Sequence, residues 1–285
     1  MAMTVAQHLG VAIERLKAFS DSPRADAELL LAHALGTSRS SLRMREADTP
    51  SARVAAVLDR LLVRRISGEP ISYLLGTQGF WSLELEVTPE VLIPRPDTET
   101  LVEWALERIA RDAPSRVLEL GTGSGCIALA IASERPHAQV QATDRSEAAL
   151  RVARANAERV ELTHRVAFRQ GDWFDALDPA REDAFDLVLS NPPYIAARDP
   201  HLDALRHEPI DALVSGEDGL DDIRRIVANA AAWLRRGEGT LMIEHGHDQG
   251  DDVRELFEAT GSFEAIETRR DLGGRERVTS GRARR

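Results

Sequence analysis

The sequence predicts an α/β protein, with a mostly parallel sheet covered by helices on both faces, preceded by a helical bundle and a β-hairpin. Three observations carry that expectation. From residue 116 onward, short apolar runs alternate with stretches of helical period, the rhythm of parallel strands joined by helical crossovers. The first of those runs ends in a cluster of glycines, as strands do where a chain turns sharply into a helix. Residues 5–66 place their apolar side chains at three- and four-residue spacings instead, which builds helical stripes.

In chain order, Val5, Leu9, Ile13 and Leu16 mark a first helix over 5–19, broken by Asp21-Ser22-Pro23. A second covers 26–35 and stops at Gly36. A third covers 51–66, with Ser51 as its cap and Gly68-Glu69-Pro70 as its stop, and 71–75 is expected to add a helical turn. Residues 80–94 alternate in part and carry β-branched and aromatic residues, which predicts a hairpin turning near Thr88-Pro89-Glu90. Strands are then expected at 117–120, 138–143, 166–170, 185–190 and 239–244, and helices at 124–134, 146–160, 221–234 and 251–259. Residues 263–268 and 277–280 are expected to close the sheet as an antiparallel pair. The Arg-rich stretch 269–285 reads as a solvated strand with a frayed end.

Composition narrows the function. The chain has 285 residues and a formal charge of −11, which disfavours a protein that lives on a nucleic-acid backbone. No apolar run is long enough to span a bilayer, and the N-terminus lacks the pattern of a secretory signal, so a cytoplasmic protein is expected. Cys126 is the only cysteine, which rules out an intrachain disulfide and a thiolate cluster, and no metal is assigned. Lys17 is the only lysine.

Ligands of such sheets bind beyond the carboxyl ends of the strands, and four successive strand ends here carry suitable groups. The first enters Gly121-Thr122-Gly123-Ser124-Gly125, a nucleotide-type turn whose spacing departs from G-x-G-x-x-G because residue 126 is Cys. Glu119, just ahead of it, suits a cofactor bearing an ammonium group, as S-adenosylmethionine does. Asp144 ends the second strand, where a carboxylate can grip both ribose hydroxyls. Asp172 and Trp173 follow the third, an acid and a ring suited to adenine. The fourth delivers Asn191-Pro192-Pro193-Tyr194, in which an amide and a ring on a proline-stiffened corner suit the capture of a planar NH2 group, either a carboxamide or a base amine.

These motifs, with Phe80-Trp81-Ser82-Leu83, Leu92-Ile93-Pro94-Arg95-Pro96-Asp97-Thr98-Glu99, Glu244-His245-Gly246 and Glu276-Arg277-Val278, make the chain resemble the peptide chain release factor N5-glutamine methyltransferases, the HemK/PrmC family of class I S-adenosylmethionine-dependent enzymes. The resemblance covers almost the whole chain. It implies a seven-stranded Rossmann-like sheet in a catalytic domain (99–285), joined through a hairpin linker (79–98) to an N-terminal helical substrate-recognition domain (1–78). It implies S-adenosylmethionine held by Gly121, Thr122, Gly123, Ser124 and Gly125 with Glu119, Asp144, Asp172, Trp173 and Asn191. Asn191, Pro192 and Tyr194 become the catalytic residues, and with Pro193 they form the glutamine pocket. The implied partner is a class I release factor, methylated on the glutamine of its Gly-Gly-Gln motif by a monomer, with no membrane and no direct DNA contact. The competing readings are a DNA adenine-N6 methyltransferase acting on a flipped base, a methyltransferase for glutamine in another protein, and a non-enzymatic cofactor sensor.

Overall fold

The computed structural model describes residues 3–180 and 182–285. The chain divides into two units, residues 1–77 and 78–285. The first holds helices α1 (Val5–Leu16), α2 (Pro23–Leu35), α3 (Ala52–Ile66) and α4 (Ile71–Leu75), with a 3-10 helix at Arg39–Arg45. Leu16, Leu30, Leu31 and Leu62 form the centre of its core. Thr4 and Gln7 close a reciprocal capping box at the start of α1, and the Ser51 hydroxyl accepts from the Val54 N–H at the start of α3. The Arg65 guanidinium donates to the part-buried Asp26 carboxylate at 2.8 Å, tying α3 to α2.

In the second unit a two-stranded hairpin, β1 (Thr77–Phe80, whose first residue falls in the other unit) and β2 (Leu83–Glu86), precedes α5 (Glu99–Arg108). The turn lies at Trp81-Ser82, not near Thr88-Pro89-Glu90. Trp81 takes φ 55°, which makes the bend at the cost of strain, and Glu99 holds it by accepting from the Trp81 N–H at 2.8 Å. Then come β3 (Ser115–Leu120), α6 (Cys126–Glu134), β4 (Ala138–Asp144), α7 (Glu147–Arg159), β5 (Val166–Gln170), β6 (Leu187–Ser190), α8 (Asp221–Ala230), β7 (Thr240–Glu244), α9 (Gly250–Ala259), β8 (Phe263–Arg270) and β9 (Glu276–Ala283).

The seven strands after the hairpin form one sheet in the order β5-β4-β3-β6-β7-β9-β8, with β9 antiparallel to both neighbours and the other pairings parallel. Alternation along β3 sends Val117 to one apolar layer with α5 and α6, and Leu118 and Leu120 to another with α8 and α9. The α5 helix was absent from the sequence reading, although its buried Leu101, Val102, Trp104 and Ala105 trace a helical face. The α8 helix ends four residues early because Phe185 exchanges backbone hydrogen bonds with Trp233 and Arg235, which pulls the chain out of helix. The Arg-rich stretch is a strand only partly solvated: Arg270, Arg275, Arg282, Arg284 and Arg285 are exposed, but β9 lies inside the sheet, and Arg277 is buried, donating to Asp271 at 3.1 Å.

Asn156 of α7 locks the hairpin to the loop after β3. It is fully buried, accepts from the Glu86 N–H at 2.6 Å, and donates to the carbonyls of Glu86 and Ser124 at 2.9 Å each. Replacing it by Leu keeps the branched outline, slightly enlarged, but strands one donor and leaves two carbonyls without this partner. Asn156→Leu should therefore lower the unfolding free energy by about 2–4 kcal/mol, read as a reduced midpoint in urea at unchanged slope.

Candidate active site

Parallel pairing sets Leu120 beside Thr143 on one side and Ser190 on the other. The next residues along these strands, Gly121, Asp144 and Asn191, therefore emerge at one sheet edge, spaced by about 5 Å per strand. Gln170 pairs with Asp144, so Gly171, Asp172 and Trp173 leave the sheet at the same edge. Together they line a cavity of about 730 Å³, large enough for a nucleoside-sized ligand.

Three strand-derived features shape the cavity wall. At the turn, Gly121 takes φ 72°, and a Cβ there would stand 3.0 Å from the Trp173 ring. Gly125 takes φ 84° and caps α6, and a Cβ would press within 3.3 Å of Ala153 and Leu129. Trp173 itself sits at φ 53°, a strained value for a tryptophan, and its indole N–H donates to Asp222 Oδ1 at 3.2 Å.

The acids differ in what they have left to offer. Asp144 accepts from the Gly123 N–H at 2.9 Å and the Ser146 N–H at 2.8 Å, one on each oxygen, and burial raises its pKa despite those bonds. Each oxygen keeps a lone pair for a hydroxyl. Glu119 is 1% exposed, and its Oε2 accepts from the Thr122 hydroxyl at 2.6 Å and the Ala128 N–H at 3.0 Å. Its Oε1 is buried without a partner, and burial pushes the carboxyl up to about 8. Asp172 pairs with Arg225, so its carboxylate is shared with a cation as well as facing the cavity.

The corner after β6 is held from several directions. Ser190 donates from its hydroxyl to the Leu120 carbonyl at 2.9 Å, and Gln249 Nε2 donates to the Tyr194 carbonyl at 3.0 Å. Asn191 Nδ2 donates to Thr98 Oγ1 at 3.1 Å, while its Oδ1 is buried and unpaired. Asn191 lines the large cavity and also a second one of about 210 Å³ walled by Pro192 and Tyr194, as do Leu92, Arg95 and Ala212; Pro193 lines the larger. His245 engages both ring nitrogens, with the Gly246 carbonyl and the Thr279 hydroxyl each at 2.8 Å, which marks it as structural.

Sequence reading assigned no role to several residues that build this site. Thr98 and Glu244, each 1% exposed, lie behind Asn191 and Tyr194. Burial pushes Glu244 up to about 7, opposed by the nearby polar groups of Thr98 and Tyr194 and by the charge of Arg277. Glu208 accepts from the Ile93 N–H at 3.1 Å and pairs with Arg95, clasping the loop after the corner to the segment ahead of α5. Thr98, Glu244 and Arg277 lie within the segments 92–99, 244–246 and 276–278 that carry the family resemblance, but nothing local announces that residues so far apart in the chain meet.

Residues 98–212 match the family model described as the methyltransferase small domain, and residues 7–76 match that of the PrmC N-terminal domain. A methyltransferase from Pyrococcus furiosus shares the fold with a TM-score of 0.54 at 17% identity, over 78% of this chain and 98% of that one. The sheet is thus that of the Rossmann-like methyltransferase fold. The release factor glutamine methyltransferase of Pseudomonas aeruginosa is 52% identical over 264 residues, 92% of this chain and 93% of its own. That of Escherichia coli (strain K12) is 46% identical over 279 residues, 97% and 98%. The chain belongs to the release factor glutamine methyltransferase family.

S-adenosylmethionine fits the groups present. Glu119 brings an unpaired buried oxygen that suits an ammonium, Asp144 two oxygens with spare lone pairs, and Trp173 an aromatic wall. A carboxyl held neutral by burial makes stability depend on pH. Because Glu119 is raised in the folded state, the fold binds the extra proton between the ordinary glutamate pKa and about 8, and ligand-free stability falls as pH rises through that window. Between pH 5 and 8.5 the wild type should lose about 2–4 kcal/mol more than Glu119→Gln in urea unfolding, a comparison that cancels the other titrating groups.

Proposed function

We propose that this chain transfers the methyl group of S-adenosylmethionine to the side-chain amide nitrogen of the glutamine in the Gly-Gly-Gln motif of class I peptide chain release factors. Its relatives from Pseudomonas aeruginosa and Escherichia coli are named release factor glutamine methyltransferases, at about half identity over nearly the full length of both chains. The observation that carries the reading is Asn191, which lines both cavities and whose carboxamide Oδ1 is buried and unpaired. A carboxamide substrate needs such an acceptor for its N–H, and the smaller cavity, walled by Pro192 and Tyr194, has room for a glutamine side chain.

The cofactor supplies a sulfonium-activated methyl group. The protein's part is to orient and to shield. Asn191 Oδ1 and the Pro192 carbonyl accept the two amide hydrogens, which directs the nitrogen lone pair along the line of transfer and enriches it in electron density. Tyr194 packs beside the amide plane, its phenol kept protonated by burial and by Glu244. The nitrogen loses its extra proton after transfer, so no strong base is required. Glu119 and the turn Gly121, Thr122, Gly123, Ser124 and Gly125 take the amino-acid end of the cofactor, Asp144 the ribose, and Asp172 with Trp173 the adenine side.

Residues 1–78 serve as the substrate-recognition domain, 79–98 as its linker and 99–285 as the catalytic domain. No described helix is long and apolar enough to cross a membrane. We place the reaction in the cytoplasm, with the enzyme a monomer.

Labelled methyl transfer tests the proposal with three acceptors: a class I release factor, its Gln→Ala variant, and duplex DNA. Only the first should be labelled, and Asn191→Ala should cut kcat by about 100- to 1000-fold while binding the cofactor. Labelling of the Gln→Ala variant or of DNA overturns it.

A further inference from the structure

A single ring can wall a pocket for a flat base only if its plane is held. We infer that Asp222, in the first turn of α8, is the positioning residue that holds the Trp173 ring beside the cofactor's adenine. The inference rests on the adenine-side role proposed above for Trp173.

Trp173 stands beyond the end of β5, so no strand pairing fixes it. Three contacts do. The Trp173 carbonyl accepts from the Thr143 hydroxyl at 3.3 Å. The Cζ3 edge of the ring lies over Gly121, where a Cβ would stand only 3.0 Å away. At the opposite end of the indole, Nε1 donates to Asp222 Oδ1 at 3.2 Å. Only the last contact is directional for the ring, because an indole has one polar atom and it can only donate. A ring turned over about its Cβ–Cγ bond would carry the N–H away from this acceptor. The acceptor is itself fixed. Asp222 Oδ2 accepts from the Ser215 hydroxyl at 2.8 Å, and Ser215 Oγ accepts from the Asp222 N–H at 2.7 Å, a reciprocal pair in which Ser215 is 2% exposed. The Ser215 N–H donates in turn to the Ile195 carbonyl at 3.0 Å, in the chain leaving the asparagine corner. Three residues further along α8, on the same face, Arg225 pairs with Asp172. One helix thus meets both residues of the Asp172-Trp173 pair, each with the complementary group. Gly121, Asp172, Trp173 and Asp222 all line the larger cavity, so the surface they set is the one a ligand meets.

The test reads the ring first and the cofactor second. In nitrogen-15 spectra of the cofactor-free whole chain, the Trp173 indole N–H is assigned by its loss in Trp173→Phe. It should shift and exchange faster in Asp222→Ala, and stay close to wild type in Asp222→Asn, which keeps an acceptor oxygen. By calorimetry with S-adenosylmethionine, Asp222→Ala should raise the Kd by about 5- to 30-fold, the scale of one hydrogen bond to a charged group, and Asp222→Asn by no more than about 3-fold. With saturating cofactor and a class I release factor as acceptor, kcat of Asp222→Ala should stay within about 3-fold of wild type, since the loss falls on cofactor binding. A double variant separates this role from simple stability. In the Trp173→Phe background, which has no N–H to lose, adding Asp222→Ala should weaken binding by less than about 2-fold. An unchanged indole signal in Asp222→Ala, or an equal loss of affinity from Asp222→Ala with and without Trp173→Phe, overturns the inference. Wild-type cofactor affinity in Trp173→Ala would instead overturn the adenine placement, with the indole signal still deciding whether Asp222 holds the ring.

Discussion

The register of β3 against its two neighbours is the constraint on which the site depends. Leu120 between Thr143 and Ser190 puts Gly121, Asp144 and Asn191 side by side, and a slip of one residue would turn every side chain of the slipped strand to the opposite face. That register is secured by burial. Val117 and Leu118 point into separate apolar layers, and both are fully enclosed. The same packing that aligns the strands keeps water from their ends, so the polar groups there act in a low-dielectric setting where each hydrogen bond has a large effect.

Concentrated dissatisfaction at the sheet edge follows. Six buried side-chain polar atoms lack partners among the described residues, and four of them, on Glu119, Ser124, Asn191 and Glu244, lie in the glycine turn or around the asparagine corner. A stable interior normally pairs such atoms, and leaving them open is costly. Trp173 adds backbone strain in the same region. The rest of the unit offsets this through fully used polar groups such as Asn156 and His245, whose partners join separate elements.

Much of the sheet was legible because its determinants are local. Strands 117–120, 138–143 and 166–170 are short apolar or alternating runs ending in Gly or Asp, and Ser51 and Gly36 act at helix ends as expected. The hairpin misled because its turn is made by a tryptophan at positive φ, a conformation no propensity indicates, whereas Thr88-Pro89-Glu90 carries ordinary turn chemistry and lies in the irregular segment beyond β2. In the site, residues attached to strand ends could be named from the alternation alone. Thr98, Glu244 and Glu208 could not, since their roles come from contacts between segments about 35 to 150 residues apart that only the folded topology creates. Arg277 misled for a related reason: charge indicates solvent, but this side chain is buried against Asp271 and also reaches the half-exposed Asp97.

The insertion of β9 between β7 and β8 has a bearing on how the molecule comes to exist. In order of synthesis β9 follows β8, yet in the sheet it precedes it, so β8 has no place to dock until its successor has been made. A nascent chain lacking β9 carries β7 as an open edge with unpaired backbone N–H and C=O groups, a surface prone to wrong pairing with other chains. Arg277 also arrives with β9, so its pairs with Asp97 and Asp271 form only at the close of translation, and a chain stalled before that point holds neither a finished sheet nor these ties.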